Sequence, residues 1–425
     1  MGNKVFDSVT ILDLTRYLPG GYSTQVFADF GAKVIKVEDT NTGDFCRREP
    51  PLNNGASYYF TALGRNKKSI SINLKNSDAL QAFYWLVHEA DVVIESFRPG
   101  VTKKLKIDYD TLREINPQLI YCSLSGYGQN DPRSLKPLHD LNMQAQSGYL
   151  SLNGGVKAPL HLCDLATAMV SCQSLLVALY DREKTNKGRY IDISMFDSFV
   201  WWNSMLDSRW FFQDQELSES TIAYPDSCPF YNIFETKDNG KLSVSLVEDK
   251  FWNSFCDLVE KPELKDRSKE GTYEKTMEIF SSKTLSEWME WLKDKELCIA
   301  PIIDKTEAID QIATLEPNMI SYVEFPSIGT VLQTNLPHAI TGLQPKIKEF
   351  SPPPKLGEHS REILREAGFT NEKIEALIKT GVIRDTEQSL IQPTWCSYHR
   401  KPRRYSRLGF PILVLNIDTK QNSHH

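Results

Sequence analysis

Several features are missing from this 425-residue chain. Its eight cysteines are scattered from Cys46 to Cys396 without a Cys-x-x-Cys pair, which argues against a disulfide framework and against a thiolate zinc site. Neither G-x-x-x-x-G-K-[ST] nor G-x-G-x-x-G occurs, so the phosphate loop and the dinucleotide fingerprint are both absent. H-E-x-x-H and G-x-S-x-G are absent as well, which removes the commonest metalloprotease and α/β-hydrolase readings. Basic charge is not in excess: the net charge is −6 and the pI about 5.9, leaving no global field for nucleic acid or an anionic membrane. No apolar run approaches the roughly 20 residues of a membrane-spanning helix. Residues 1–9 show no apolar signal core, and Phe6 stands where a myristoylation signal wants Ser or Thr. The expectation is a cytoplasmic protein with no nucleic-acid, membrane or metal partner.

What is present reads as a folded enzyme-sized chain. Hydrophobic residues make up 40% and charged residues 24%, enough apolar surface for a substantial core. The length predicts two or three domains. Strands are expected over 9–14, 33–37, 69–74, 91–95, 119–124 and 190–194, with helices over 19–30, 80–90 and 164–182 and an aromatic helix over 196–212. Strands alternating with helices of this length argue for βαβ units and a parallel sheet. Further on, a hairpin (231–235 and 241–246) brackets Asp238-Asn239-Gly240, and amphipathic helices follow over 251–259 and 285–292. Pro352-Pro353-Pro354 then precedes two short helices over 358–367 and 371–379. The division expected is a large domain over 1–223, a smaller α+β domain over 224–325 and a return to the large domain over 326–383. A poorly ordered tail is expected over 384–425. Its basic cluster (His399, Arg400, Lys401, Arg403, Arg404) and apolar run 410–415 leave a nucleic-acid or lipid contact as the alternative.

Four acidic or imidazole residues, at three places in the chain, invite chemistry. Asp164, in Leu162-Cys163-Asp164-Leu165, opens a long helix, where a carboxylate is either an N-cap or a buried nucleophile or base held by the helix terminus. His139 and Asp140 stand between a proline-containing loop and a helical stretch, with Asp140 the better helix cap and His139 otherwise an ordinary loop residue. Glu248 follows a strand and by itself reads as a surface acid. Gly20-Gly21 after the first strand is a weak anion-site signal that a tight turn explains equally well.

Taken together, several segments resemble the class III CoA-transferase family (CaiB/BaiF type), which includes the α-methylacyl-CoA racemases. They are Ile11-Leu12-Asp13-Leu14, Ala28-Asp29-Phe30-Gly31-Ala32-Lys33-Val34-Ile35-Lys36-Val37-Glu38, Arg65-Asn66-Lys67-Lys68-Ser69-Ile70 and Glu95-Ser96-Phe97-Arg98-Pro99-Gly100. Ser125-Gly126-Tyr127-Gly128-Gln129, Asn186-Lys187-Gly188-Arg189-Tyr190 and Pro354-Lys355-Leu356-Gly357-Glu358-His359 complete the set, in family order. The resemblance implies an α/β fold with a Rossmann-like large domain, a smaller α+β domain, and an interlocked homodimer with its active site between subunits. It implies an acyl-CoA substrate, coenzyme A as part of that substrate, and no prosthetic group. A CoA phosphate needs guanidinium or ammonium groups near backbone amides. The candidates are Arg98, Lys36, Lys67 and Lys68, with Tyr127 and Gly128 from a signature turn. One departure stands out: Asp39 follows Val37-Glu38 where the family carries an arginine that helps hold CoA.

Two reactions share the family. In the transferases an aspartate, matched here by Asp164, attacks the thioester carbonyl. In the racemases the same aspartate and a histidine exchange a proton across C2 of the acyl group. His139 in the His-Asp pair, Glu248 as the glutamate that orients it, and Cys228-Pro229-Phe230-Tyr231 are similar to the racemases. Leu18 replaces the active-site glutamine of the formyl-CoA transferases, whose glycine-rich loop is also missing. Epimerisation of a 2-methyl-branched acyl-CoA is therefore the leading expectation. CoA transfer is the alternative, and a non-catalytic acyl-CoA-binding protein comes third. Trp201, Trp202, Met195 and Met143 are possible walls of an acyl pocket or ordinary core.

Overall fold

The strands expected in the first half are present, close to their expected ends, in the computed structural model, which describes residues 5–212, 224–337 and 340–386. In chain order they run β1 (Thr10–Leu14), α1 (Leu18–Asp29), β2 (Lys33–Glu38), α2 (Tyr58–Leu63), β3 (Lys67–Ile72), α3 (Ser77–His88), β4 (Val92–Glu95) and β5 (Ile120–Ser125). Then come α4 (Asp140–Gln146), α5 (Leu162–Thr185), β6 (Arg189–Ser194), α6 (Met195–Trp202) and α7 (Ser204–Phe212). The six strands are parallel and stand in the order β3-β2-β1-β4-β5-β6, with Ile383–Arg384 antiparallel on the outer edge of β3. This is the Rossmann-like sheet. The strand order reverses between β1 and β4, which opens a crevice beyond their carboxyl ends, the usual ligand position in an open α/β sheet.

Alternation along each strand explains why helices cover both faces. Leu12 and Leu14 join Ile35, Ile70, Phe83 and Tyr121 in one core, while Ile11 joins Phe27, Val34, Ile94 and Leu175 in the other. The helix α5 differs from the sequence expectation on apolar length. It runs 24 residues with a long, mostly apolar window, so by length and composition it could cross a membrane. Half of that window is buried in the protein, with Ala166, Ala168 and Leu175 wholly enclosed. Polar residues such as Thr167 and Ser171 break up the apolar stretch in the sequence.

The hairpin forms as expected: Tyr231–Glu235 and Lys241–Ser245 pair antiparallel, and Ile299–Pro301 adds a third strand. Trp252, Phe255, Phe280 and Trp288 pack beneath it, with the Phe255 and Phe280 rings stacked 5.3 Å apart. Three details differ from expectation. The aromatic helix over 196–212 is two helices, because the Asn203 N–H turns back to the carbonyls of Phe199 and Val200 and ends α6. A second hairpin, Ile320–Phe325 with Gly329–Thr334, was not anticipated. The tail is shorter than expected at its start, since Arg384 pairs with Ser71 in the sheet and is buried. Its basic cluster, its apolar run and Cys396 lie outside the described residues.

Candidate active site

Asp164 is the third residue of α5, and the backbone N–H groups of that first turn need acceptors. The cap does not come from Asp164. Asp140, the first residue of α4, reaches across: its Oδ1 accepts the N–H of Cys163 at 2.7 Å and that of Asp164 at 3.3 Å. Asp140 thus caps a neighbouring helix, not its own, and its Oδ2 accepts from Gln144 Nε2 at 2.6 Å. Met143, Cys163, Ala166 and Phe199 hold α4 against α5 in a small buried cluster. Met143 is therefore core, whereas Trp201 and Trp202 are exposed.

Relieved of capping, the Asp164 carboxyl has no hydrogen-bond partner among the described residues. Burial, then the negative charge of Asp140, pushes it up to about 7, and His161 pulls in the opposite direction. Asp140, His161 and Asp164 each bring a polar side-chain atom within 4.8 Å of the other two. Both Asp140 oxygens already accept hydrogen bonds, so the group reads as an acid–base cluster. The hydroxyl of Tyr59, on α2, lies in the same field: burial raises it above its ordinary value and Asp164 adds to the rise. Sequence reasoning missed Tyr59 because nothing in its segment points to Asp164. His161 was legible only as a histidine one turn before the aspartate.

His139 is the N-cap residue of α4, exposed, with its backbone N–H donating to Asn142 Oδ1 at 3.0 Å. The ring of Tyr17 meets the His139 imidazole edge-on, centroids 6.5 Å apart, and packs on Phe45 at 5.4 Å. Tyr17 has φ 62°, a left-handed conformation that costs a non-glycine residue about 1–3 kcal/mol. Its N–H donates to Asp44 Oδ1 at 3.1 Å, which holds the turn. Asp44 in turn pairs with Lys36 at 2.9 Å, tying the site to a buried ionic cluster under the sheet. Glu248 lies elsewhere in the chain, exposed at the start of the helix Asp249–Leu258, and no hydrogen bond joins it to His139 among the described residues.

The cations divide into two groups. Lys36, expected in a strand, and Lys67, expected in a basic turn, were both candidates for a CoA phosphate, but both are strand residues with 2% and 5% exposure. Their ammonium groups approach Asp13, at 3.1 Å and 3.5 Å. Burial alone would raise the Asp13 carboxyl, but Lys36, Lys67 and the hydroxyls of Thr15 and Thr24 overturn that and hold it well below its usual range. Lys67, dominated by burial, is pushed down to about 8. Gly20 serves the same packing: a Cβ there would lie 2.2 Å from Thr15 Cγ2, so close approach explains it without an anion. Lys68 pairs with Glu362 at the surface.

Arg98 is exposed and makes no side-chain bond among the described residues. It follows Phe97 at the carboxyl end of β4. Arg16 stands across the switch point at the end of β1, its N–H donating to Ser96 Oγ at 3.0 Å and its guanidinium 5.8 Å from the Phe97 ring. Asp39, where the family has arginine, holds Arg16 at 3.3 Å, while the Phe45 ring lies beneath the guanidinium at 4.7 Å. Tyr127 is buried, its hydroxyl donating to Gln146 and its ring covered by Arg133 at 4.1 Å. Gly128, at φ 82°, lines a cleft of about 600 Å³ with Asp131, Asp192, Ser194 and Trp201.

The fold is an α/β sheet with a crevice at its switch point, where Arg16 meets Ser96 and Phe97, and the raised Asp164 carboxyl is grouped with Asp140 and His161. Solved structures agree on the fold. A CaiB/BaiF family protein from Brucella suis aligns with a TM-score of 0.74 at 24% identity, over 86% of this chain and 100% of that one. Rv3272 from Mycobacterium tuberculosis aligns with a TM-score of 0.72 at 28% identity, over 85% and 99%. The sequence pattern of CoA-transferase family III matches residues 6–360. The chain belongs to CoA-transferase family III and is an enzyme. Its similarities span two reactions. Human succinyl-CoA:glutarate CoA-transferase is 30% identical over 399 residues, 89% of this chain and 90% of that one. Human alpha-methylacyl-CoA racemase is 29% identical over 390 residues, 88% and 96%. Acetyl-CoA:oxalate CoA-transferase of Acetobacter aceti is 30% identical over 378 residues, 85% and 95%.

Proposed function

We propose that this enzyme epimerises C2 of 2-methyl-branched acyl-CoA thioesters by proton transfer through an enolate. Asp164 and His139 take opposite faces of C2. One removes the proton, the C–H electron pair moves into the thioester carbonyl, and the other group returns a proton to C2. The observation that carries this reading is the Asp164 carboxyl, pushed up to about 7. A group that must both take and give a proton near neutrality works best with its pKa there. A carboxylate that attacks a carbonyl gains nothing from being half protonated.

Coenzyme A enters as part of the substrate, and no prosthetic group is invoked. Arg16 and Arg98, flanking Phe97 at the switch point, are the cations assigned to its phosphates, with Arg16 taking over where Asp39 replaces the family's arginine. The enzyme works as a homodimer in this reading. Supporting that are Val177, Tyr180, Trp201, Met205 and Phe212, large apolar side chains left exposed on α5, α6 and α7. A second copy is the means by which Glu248 reaches His139.

CoA transfer is the second reading, favoured by the transferases at 30% identity. There the Asp164 carboxylate attacks the thioester carbonyl and expels CoA thiolate, leaving a mixed anhydride. The thiolate then attacks the aspartyl carbonyl, the original acid departs, and CoA passes to an incoming carboxylate.

Incubation with 2-methyldecanoyl-CoA in deuterium oxide tests the choice. Deuterium at C2, lost almost wholly in His139→Ala, supports epimerisation. No deuterium, together with transfer of CoA from succinyl-CoA to glutarate, overturns it.

A further inference from the structure

The residue at the N-cap position of α5 is a histidine, and it does not cap. His161 makes no side-chain bond to the first-turn amides, because Asp140 from α4 already accepts them. Serine, threonine, aspartate and asparagine are the side chains that favour this position. A cation is also disfavoured there, since the helix N-terminus carries partial positive charge. His161 therefore breaks two local rules without serving the helix, which is the pattern expected of a functional position.

Its neighbours show what it faces. His161 Nδ1 lies 3.8 Å from Asp140 Oδ2, and a ring nitrogen comes within 4.8 Å of an Asp164 oxygen. We infer that His161 is a positioning residue whose charge sets the ionisation of Asp164 during turnover. The inference rests on the reading of Asp164 as the working carboxyl and applies to either reaction proposed above.

Among the described residues, the charged and titratable groups around Asp164 include Asp140 from α4, His161 from the turn before its own helix, Cys163 beside it and Tyr59 from α2. Asp140 and the apolar surroundings favour a protonated Asp164. Cys163 and Tyr59, both raised well above their ordinary values, stay neutral near pH 7 and add no cation. His161 is thus the group in this set that can supply positive charge, and imidazole is the side chain that changes charge near neutrality. A positive charge there favours the Asp164 carboxylate over its protonated form. The raised carboxyl of Asp164, which His161 alone among these groups opposes, agrees with this geometry. A little over half of the His161 side chain is exposed.

The test reads Asp164 directly and does not depend on turnover. Full-length protein carrying aspartate labelled with 13C at the side-chain carboxyl is titrated by NMR, and the Asp164 resonance is assigned by its absence from Asp164→Asn. Removing a cation at this distance in His161→Gln is expected to move the Asp164 midpoint upward by about one unit. His161→Lys, which keeps a positive charge, is expected to leave it unchanged or lower. An unmoved midpoint in His161→Gln overturns the inference, as does the same upward shift in both variants, which would mark a structural disturbance. Activity separates this from the underlying reading: Asp164→Asn that still turns over 2-methyldecanoyl-CoA or succinyl-CoA with glutarate defeats the assignment of Asp164, whatever the titration shows. In an active enzyme the acidic limb of the kcat/KM profile follows the same shift in His161→Gln.

Discussion

The carboxylate of Asp140 accepts the backbone N–H of Cys163 at 2.7 Å, and this bond between two helices decides what Asp164 can do. Had Asp164 capped its own helix, its oxygens would be held by amides and its pKa would fall. With Asp140 in that role, Asp164 keeps a free carboxyl beside a second negative charge.

Asp164→Asn is expected to abolish both candidate reactions while the fold survives. The raised carboxyl also carries a stability signature. Because the folded value lies above that of an unfolded aspartate, its contribution to stability is present at low pH and lost as pH rises through about 7. Wild type should lose thermal stability between about pH 4 and about pH 7 relative to Asp164→Asn, with little further change above that. Parallel melting curves across that range would contradict the raised value.

Asp140→Ala removes a helix cap and should destabilise the protein by about 1 kcal/mol, measured by denaturant unfolding. It also removes the charge that raises Asp164, so the acidic limb of kcat/KM should move to lower pH. A drop in activity with an unmoved limb would mean that Asp140 acts only as a cap.

Arg16→Ala and Arg98→Ala should each raise KM for an acyl-CoA, with kcat less affected. Loss of one charge-assisted hydrogen bond to a phosphate is worth about 1.5–3 kcal/mol, or roughly tenfold to hundredfold in affinity. Steady-state kinetics with CoA thioesters checks this, and dephospho-CoA thioesters separate the phosphate each arginine meets.

Asp13→Asn should behave differently, as a stability variant. Asp13 is fully buried between Lys36 and Lys67, so its loss leaves ammonium charge uncompensated in the core, at a cost of about 3–5 kcal/mol. Unfolding midpoints should fall sharply. Were Lys36 and Lys67 CoA ligands, as their place in the sequence suggested, Lys67→Met would instead leave stability intact and raise KM.

Much of this molecule is legible before folding. Short, nearly continuous apolar strands such as Ile11-Leu12-Asp13-Leu14 and the helical spacing after them encode a parallel α/β sheet through local geometry. The shared motifs point to Asp164 and His139. What local pattern cannot encode is distance between segments. Lys67 reads as a basic turn residue because its ion partner, Asp13, lies over fifty positions away and meets it only when β1, β2 and β3 align. Asp140 reads as the cap of its own helix because the amides of Cys163 and Asp164 arrive only when α4 docks on α5. Arg16 meets Ser96 and Phe97 for the same reason, at a crevice created by strand order. The sequence alone determined which residue types were available and the class of fold; the tertiary structure decided which charges were neutralised in the core and which carboxyl remained free. Electrostatics falls off over ångströms of space, not over positions along the chain.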